Sequence, residues 1–172
     1  MKHNKKELLK YINSLKEKIR GHEVLQRMCA DWNAPEDVLD LIPIGFADLD
    51  VSARTDHGVI YLSYKVLEND TEPDIENDHY LIHEISHYLQ QCYGDKPTKG
   101  SNEGDYLDNE FEQEGFQNQT EYIADEYSKE DAVKYINRVL DKHEVTDPEE
   151  REDKTEVLLN IAQLRARRVN GV

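Results

Sequence analysis

Residues 83–87 read His-Glu-Ile-Ser-His, a spacing that can bind one metal ion and activate water beside it. Residues four apart on an α-helix lie one above the other on the same face, so the imidazoles of His83 and His87 can reach a single ion. Glu84 follows His83 by about 100° round the helix, which puts its carboxylate beside that ion as a general base for water. The pattern therefore predicts a Zn²⁺ site with hydrolytic chemistry.

The residues around this pentapeptide divide a predicted helix, residues 77–93 ending at Gly94, into an apolar and a polar side. The apolar arc lies opposite the histidines and consists of Leu81, Ile82, Ile85, Leu89 and Cys92. The polar side carries groups that bind metals or substrates, namely His79, Tyr80, His83, Glu84, His87, Gln90 and Gln91. This composition favours a metal site over an ordinary solvated helix that carries two histidines by chance. Cys92 is predicted to be a small buried residue. Two cysteines, Cys29 and Cys92, are too few for a disulfide framework.

A catalytic zinc needs a third protein ligand and an open fourth position for water. The downstream candidates are acidic, because no Cys follows Cys92 and His143 lies far along the chain. In a helix predicted over residues 109–127, Glu112 shares a face with Phe116, Gln119 and Ile123. A carboxylate in an apolar stripe is costly unless it is paired, and a metal ion is a suitable partner. Glu112 is therefore the predicted third ligand.

Other acidic residues near Glu112 are weaker candidates. Glu126 and Asp108 share its face and remain alternatives, while Gly115 lets a neighbouring helix approach Glu112 closely. The opposite face is predicted to be solvated and carries Glu110, Glu114, Glu121 and Asp125 with Gln113, Gln117 and Asn118.

These two motifs together resemble a known family. HEISH at 83–87 followed by EQEGF at 112–116 resembles the minimal gluzincin-like zinc metallopeptidases of the ImmA/IrrE type, over about residues 44–127. In that family HExxH on one helix is completed by a Glu in an ExxA-like motif on the next. Gly115 stands where the family usually has Ala, Phe116 stands where Asn is common, and no helix-turn-helix is evident. The resemblance implies a short α+β zincin with a small sheet beside the active-site helix, and a peptidase that acts on proteins.

Length and charge restrict the class of protein. The 172 residues predict one domain, 1–172, in the α+β class. The 37 acidic and 21 basic residues give a net charge of −16, which disfavours direct nucleic-acid binding and is typical of a solvated acidic surface. Neither a signal peptide nor an apolar run that could cross a bilayer is evident, so we expect a cytoplasmic protein without membrane contact.

The flanking segments are predicted to support this site. Residues 4–30 predict a scaffold helix with Asn4 as N-cap and Gly21 as an interruption or end, and a short helix follows from about Asn33 to Leu41. Residues 44–53 and 59–63 are predicted to form a hairpin. His57 is expected to be a turn residue rather than a ligand.

The resemblance also implies that one strand of the protein binds the substrate backbone. In such zincins a strand next to the active-site helix pairs with extended substrate backbone, and residues 59–63 are the predicted edge, against the alternative of a core strand that never touches substrate. The apolar-free segment 95–105 is predicted to be a mobile loop and a candidate lid.

The C-terminal helices are predicted over residues 129–168. The first ends near His143, and the second starts with Asp147 as N-cap and Pro148 in its first turn. The second carries an apolar stripe, either for the core or for a partner, and basic residues near its end that suit the helix dipole. The stripe consists of Val157, Leu158, Ile161 and Leu164, and the basic residues are Arg165, Arg167 and Arg168.

The leading hypothesis is a zinc-dependent endopeptidase that acts on a protein or peptide substrate. His83, His87 and Glu112 would hold Zn²⁺, and Glu84 would take the proton of the attacking water. The oxyanion donor could be Tyr106, Tyr122 or His79, among which the sequence does not choose. His79 is otherwise expected to support the ligands or contact solvent.

Two alternatives use the same residues. The first is a catalytically silent zincin-fold binding module or regulator that acts through its acidic surface. The presence of Glu84 argues against it, because a purely structural metal site has no need of a carboxylate that is not a ligand. The second is metal-assisted hydrolysis of a non-peptide substrate.

Overall fold

The computed structural model describes residues 3–68, 75–94 and 106–159. The chain forms two compact units, Met1–Thr98 and Lys99–Val172, which are described one at a time. The predicted α+β class is confirmed, since helices dominate and a three-stranded sheet lies in the first unit. That residues 1–172 act as one domain remains a prediction. In the described ranges we find no helix with the length and apolar character needed to cross a membrane.

The first unit begins with three helices, α1 (Lys5–Ile19), α2 (Glu23–Asp31) and α3 (Val38–Leu41). The side chain of Asn4 accepts a hydrogen bond from the backbone N–H of Lys6, which confirms it as the N-cap of α1. Gly21 has a φ of 75°, which glycine adopts at little cost, and the chain turns there. The predicted interruption at Gly21 is therefore confirmed, and the scaffold segment predicted over residues 4–30 forms two separate helices. The helix expected from Asn33 is shorter than predicted.

The sheet contains β1 (Ile44–Ala47), β2 (Ala53–Asp56) and β3 (Val59–Ser63) in the order β1-β3-β2. Strands β2 and β3 form an antiparallel hairpin around His57 and Gly58, whose φ angles of 48° and 76° are typical of a two-residue turn. The prediction that His57 is a turn residue is confirmed. Strand β1 runs parallel to β3, so the predicted hairpin is correct only for the residues nearest the turn.

The central position of β3 agrees with the predicted alternative of a core strand and not with the predicted substrate edge. Both sides of residues 59–63 are paired, with β1 on one side and β2 on the other, so this segment cannot add a further strand. Strand β2 is instead the edge that contacts α4 (Asp78–Tyr93). The predicted hairpin placed Thr55 and Asp56 in the turn, whereas the structure places them in β2, and residues 44–47 form the parallel partner of β3.

Helix α4 packs against α1, α2, β2 and β3, and its bounds agree with the prediction. Four side chains of the predicted apolar arc have no exposed surface, namely Leu81, Ile82, Ile85 and Leu89. A Cβ on Gly94 would lie 2.4 Å from the backbone oxygen of Gln90, which explains a glycine directly after the helix. The prediction that Cys92 is buried is wrong: it is exposed in the last turn of α4, where fewer neighbours cover the apolar side.

The described residues of the second unit, 106–159, form a 3₁₀ turn (Tyr106–Asp108) and three helices, α5 (Glu110–Glu126), α6 (Lys129–Lys142) and α7 (Pro148–Leu159). The three helices pack on one another in pairs. Side-chain oxygens cap each start: Asn109 accepts from Phe111 and Glu112, Ser128 from Asp131, and Asp147 from Glu150. The predicted cap at Asp147 is thereby confirmed.

The predicted stripe of α7 is only partly buried. Leu158 is buried, as is its neighbour Leu159, whereas Val157 is 41 % exposed, which is contrary to the core-packing alternative at that position. The remaining residues of that prediction, Ile161, Leu164, Arg165, Arg167 and Arg168, lie outside the described residues, as does the loop at 95–105.

Candidate metal centre

Helix α4 brings His83, Glu84 and His87 together. One ligand atom from each side chain lies within 4.8 Å of the other two. The two imidazole rings are 4.9 Å apart between centroids and inclined at 68° to each other. This follows from the helix repeat, which places residues four apart on one face. The described part of the chain contains this one group of three or more such side chains that could hold a metal ion.

The group is largely removed from solvent. His83 is 7 % exposed and Glu84 is 5 % exposed, while His87 is partly exposed. Removing a carboxylate from water is costly unless a positive charge or hydrogen bonds compensate. A divalent cation would supply that charge and would be ligated by the imidazole nitrogens. The residues present therefore fit a metal ion.

Gln90 fixes the orientation of His87. The Nδ1 atom of His87 lies 2.8 Å from Oε1 of Gln90. An amide oxygen can only accept a hydrogen bond, so Nδ1 donates to it. Hydrogen bonds of this kind set the tautomer of histidines that bind metals. A neutral imidazole held in this way has its lone pair on Nε2 and can act as a ligand through that atom.

Glu84 is also contacted from the sheet. The Oγ1 atom of Thr55 on β2 donates a hydrogen bond to the backbone oxygen of Glu84 at 3.1 Å and lies 3.4 Å from its Oε1. Sequence analysis did not identify Thr55, because it comes 29 residues before Glu84 and the contact depends on the docking of β2 against α4.

His79 lies one turn before His83 and is completely buried. Burial lowers the pKa of His79 from its usual 6.5 to about 3; the imidazole of His83 adds to this effect, and the carboxylate of Asp78 opposes it. The ring also packs against Tyr80 at a centroid distance of 4.2 Å. Of the roles predicted for His79, contact with solvent is excluded.

The acidic residues of the second unit differ in burial. Glu112 is 4 % exposed, as predicted from its helix face. Glu126 and Asp108, the predicted alternatives, are exposed, and Asp108 forms an ion pair with Lys154 at 2.9 Å.

Glu121 contradicts the predicted solvated face of α5. It is only 2 % exposed, and Asn118 beside it is 5 % exposed. The prediction from helix periodicity assumed that α5 has one buried side. Because α5 packs against both α6 and α7, more than one side of it is covered. Glu110 and Asp125 are exposed as predicted.

A sequence signal for Glu121 was present. Glu121 and Ala124 have the spacing of Glu and Ala in ExxA, whereas Glu112 is followed at that spacing by Gly115. Helix α5 thus offers two buried carboxylates, one predicted and one missed.

Two of the three candidate oxyanion donors lie in the second unit. Tyr122 is completely buried, and Tyr106 is partly exposed with its ring stacked on His143 at 5.0 Å. Neither observation distinguishes an oxyanion donor, so these assignments remain predictions.

Comparison of the chain with protein-family models, with curated proteins and with solved structures found no significant match.

Proposed function

We propose that this protein is a zinc-dependent endopeptidase of the minimal gluzincin type, similar to the ImmA/IrrE proteins. The observation that supports the proposal best is the buried group of two imidazoles and one carboxylate within 4.8 Å on α4. Two histidine nitrogens and one carboxylate oxygen are a ligand set that suits Zn²⁺. Three protein ligands leave a fourth position for water, which is typical of a catalytic zinc site rather than a structural one.

The third ligand is proposed to come from α5. Glu112 lies in the first turn, where the backbone N–H groups of a helix stabilise a carboxylate without any metal. Glu121 lies in the helix interior and has the ExxA spacing. Both carboxylates are buried, so the spacing alone favours Glu121 as the third ligand, and Glu112, predicted from the helix face, is the alternative.

The chain's own residues divide the chemistry between them. A bound zinc ion would act as a Lewis acid that polarises the peptide carbonyl and lowers the pKa of water. His83 and His87 hold the ion, and Gln90 orients His87. Glu84 takes the proton from the attacking water and passes it to the leaving amine nitrogen.

Strand β2 is the proposed site for substrate backbone. Because Ser63 donates to the oxygen of Ser52 at 2.9 Å, the alternate residues Ala53 and Thr55 direct their backbone groups away from β3. The oxygen of Thr55 already accepts from Nε2 of Gln91 at 3.3 Å, so a peptide would pair through Ala53 and the N–H of Thr55. An extended peptide could pair with this edge as an added strand. The substrate edge predicted from sequence is thus replaced by its hairpin partner.

Cleavage of an unstructured peptide library tests the enzyme against a binding module. The zinc-loaded protein should cleave, and Glu84→Gln should lose about 100-fold or more in kcat while keeping its zinc. Glu110→Gln on the exposed face of α5 is the matched control. Unchanged cleavage by Glu84→Gln would refute the mechanism, and cleavage that survives chelation would refute the role of the metal.

Metal titration of single variants tests the ligand set. His83→Asn and His87→Asn should both abolish tight zinc binding. Glu121→Gln should weaken zinc binding by more than the roughly 10–100-fold cost of losing a supporting partner, while Glu126→Gln should bind as the parent does. If Glu112→Gln shows the large loss and Glu121→Gln does not, the original prediction is correct.

A further inference from the structure

Thr55 connects the edge strand β2 to Glu84. Its hydroxyl lies 3.1 Å from the backbone oxygen of Glu84 and 3.4 Å from Oε1 of the carboxylate. A threonine hydroxyl has one proton, so that proton is shared between a helix carbonyl and the carboxylate. The carboxylate contact is the longer and weaker of the two. The shorter contact nevertheless keeps the hydroxyl next to the carboxylate.

Gln91 holds Thr55 against the same face of α4. Its Nε2 donates to the backbone oxygen of Thr55 at 3.3 Å, and its Oε1 accepts from the N–H of Gly58 at 2.9 Å. Glu84 and Gln91 are seven residues apart, about two helical turns, and therefore share a face. The hairpin is thus attached to α4 at two levels, one at Gln91 and one at Glu84.

The local conformation of Thr55 is also restricted. It pairs with Ile60 in the hairpin, which closes through the tight turn at His57 and Gly58. A β-branched side chain in a strand has few χ1 rotamers. The Oγ1 atom therefore has little freedom to leave Glu84.

We infer that Thr55 is a positioning residue that holds the carboxylate of Glu84 in the orientation from which it takes the proton of water. The inference rests on the proposed peptidase function. Glu84 is buried, so few water molecules are available to orient it, and a general base is sensitive to misplacement by about 1 Å. Thr55 acts through Glu84, so it should affect the chemical step rather than zinc binding.

The first test compares kcat and KM. Thr55→Val keeps the shape of the side chain and removes the hydroxyl, so kcat should fall about 10-fold, the loss expected for one hydrogen bond, with KM and zinc content unchanged. Thr55→Ser restores a hydroxyl and should recover most of kcat. Ser63→Ala, which removes a buried hydroxyl elsewhere in the sheet, should have the parent kcat. A parent-like kcat for Thr55→Val, or no recovery in Thr55→Ser, would overturn the inference.

The second test needs no activity. Thr55→Val and Glu84→Ala, alone and combined, are compared by urea unfolding of zinc-free protein. Contact between the two side chains predicts that their effects on the unfolding constant differ from additivity by about 5-fold. Additive effects would overturn the inference whatever the kinetics show. A parent protein that cleaves nothing would instead count against the proposed function, while the unfolding result would still test the contact.

Discussion

Replacing His79 should make the protein less sensitive to acid. This imidazole is completely buried, and burial lowers its pKa to about 3, so it is neutral in the folded protein at pH 5. In the unfolded chain its pKa returns to about 6.5, and the unfolded state takes up a proton first as the pH falls. The stability contributed by neutral His79 is therefore complete above pH 6.5 and is lost progressively toward pH 3. His79→Gln removes this titration.

The size of the effect follows from the two pKa values. Each pH unit between the unfolded and folded pKa costs about 1.4 kcal/mol, so the free energy of unfolding should fall by about 2 kcal/mol between pH 7 and pH 5. In urea a protein of this length has an m value of about 2 kcal/mol/M, so the midpoint should fall by about 1 M because of His79.

Urea unfolding at pH 7 and pH 5, in the presence of a chelator, measures this difference. The parent midpoint should drop by about 1 M more than the midpoint of His79→Gln. His57→Gln removes an exposed imidazole and controls for the loss of a histidine as such. Equal drops in the parent and in His79→Gln would refute the argument from burial.

Three further predictions concern stability and are measured by thermal or urea unfolding. Gly58→Ala should lower the free energy of unfolding by about 1–2 kcal/mol, because φ is 76° and the new Cβ would lie 3.0 Å from Sγ of Cys92. Adding Cys92→Ala should recover part of this loss, and no recovery would show that the sulfur is not the obstacle. Asp147→Ala should lower the free energy of unfolding by about 1 kcal/mol because α7 loses its N-cap, whereas Asp147→Ser, which keeps a capping oxygen, should lower it little. Equal losses in the two variants would contradict the role of Asp147 as N-cap. Leu89→Ala should lower the free energy of unfolding by about 3 kcal/mol because Leu89 is fully buried. A decrease below about 1 kcal/mol would contradict the packing of α4.

Local signals explain the parts of the fold that were predicted correctly. The cap at Asn4, the cap at Asp147 and the turn at His57 each depend on residues close in sequence. The parallel pairing of β1 with β3 depends on contacts between residues 16 apart, as in Ile44 with Ile60, and no periodicity records it. For the same reason the sequence could not decide whether β3 is an edge strand or a core strand.

The candidate site shows the same division. His83, Glu84 and His87 belong to one helical turn, so their proximity follows from the helix repeat. Thr55 reaches Glu84 only after β2 has docked on α4. The burial of Glu121 depends on which helices surround α5. Helix periodicity predicts which residues share a face, but it does not predict how many faces are covered by neighbouring helices.

The edge of β2 that faces away from β3 has a consequence for self-association. A strand edge that can accept a peptide can also accept the same edge of another copy, which is a common route to aggregation. Strand β2 has only four residues, and two of them, Arg54 and Asp56, carry exposed charges. Brevity and charge both disfavour edge-to-edge growth of sheets, so they protect the molecule against joining with other copies into fibres.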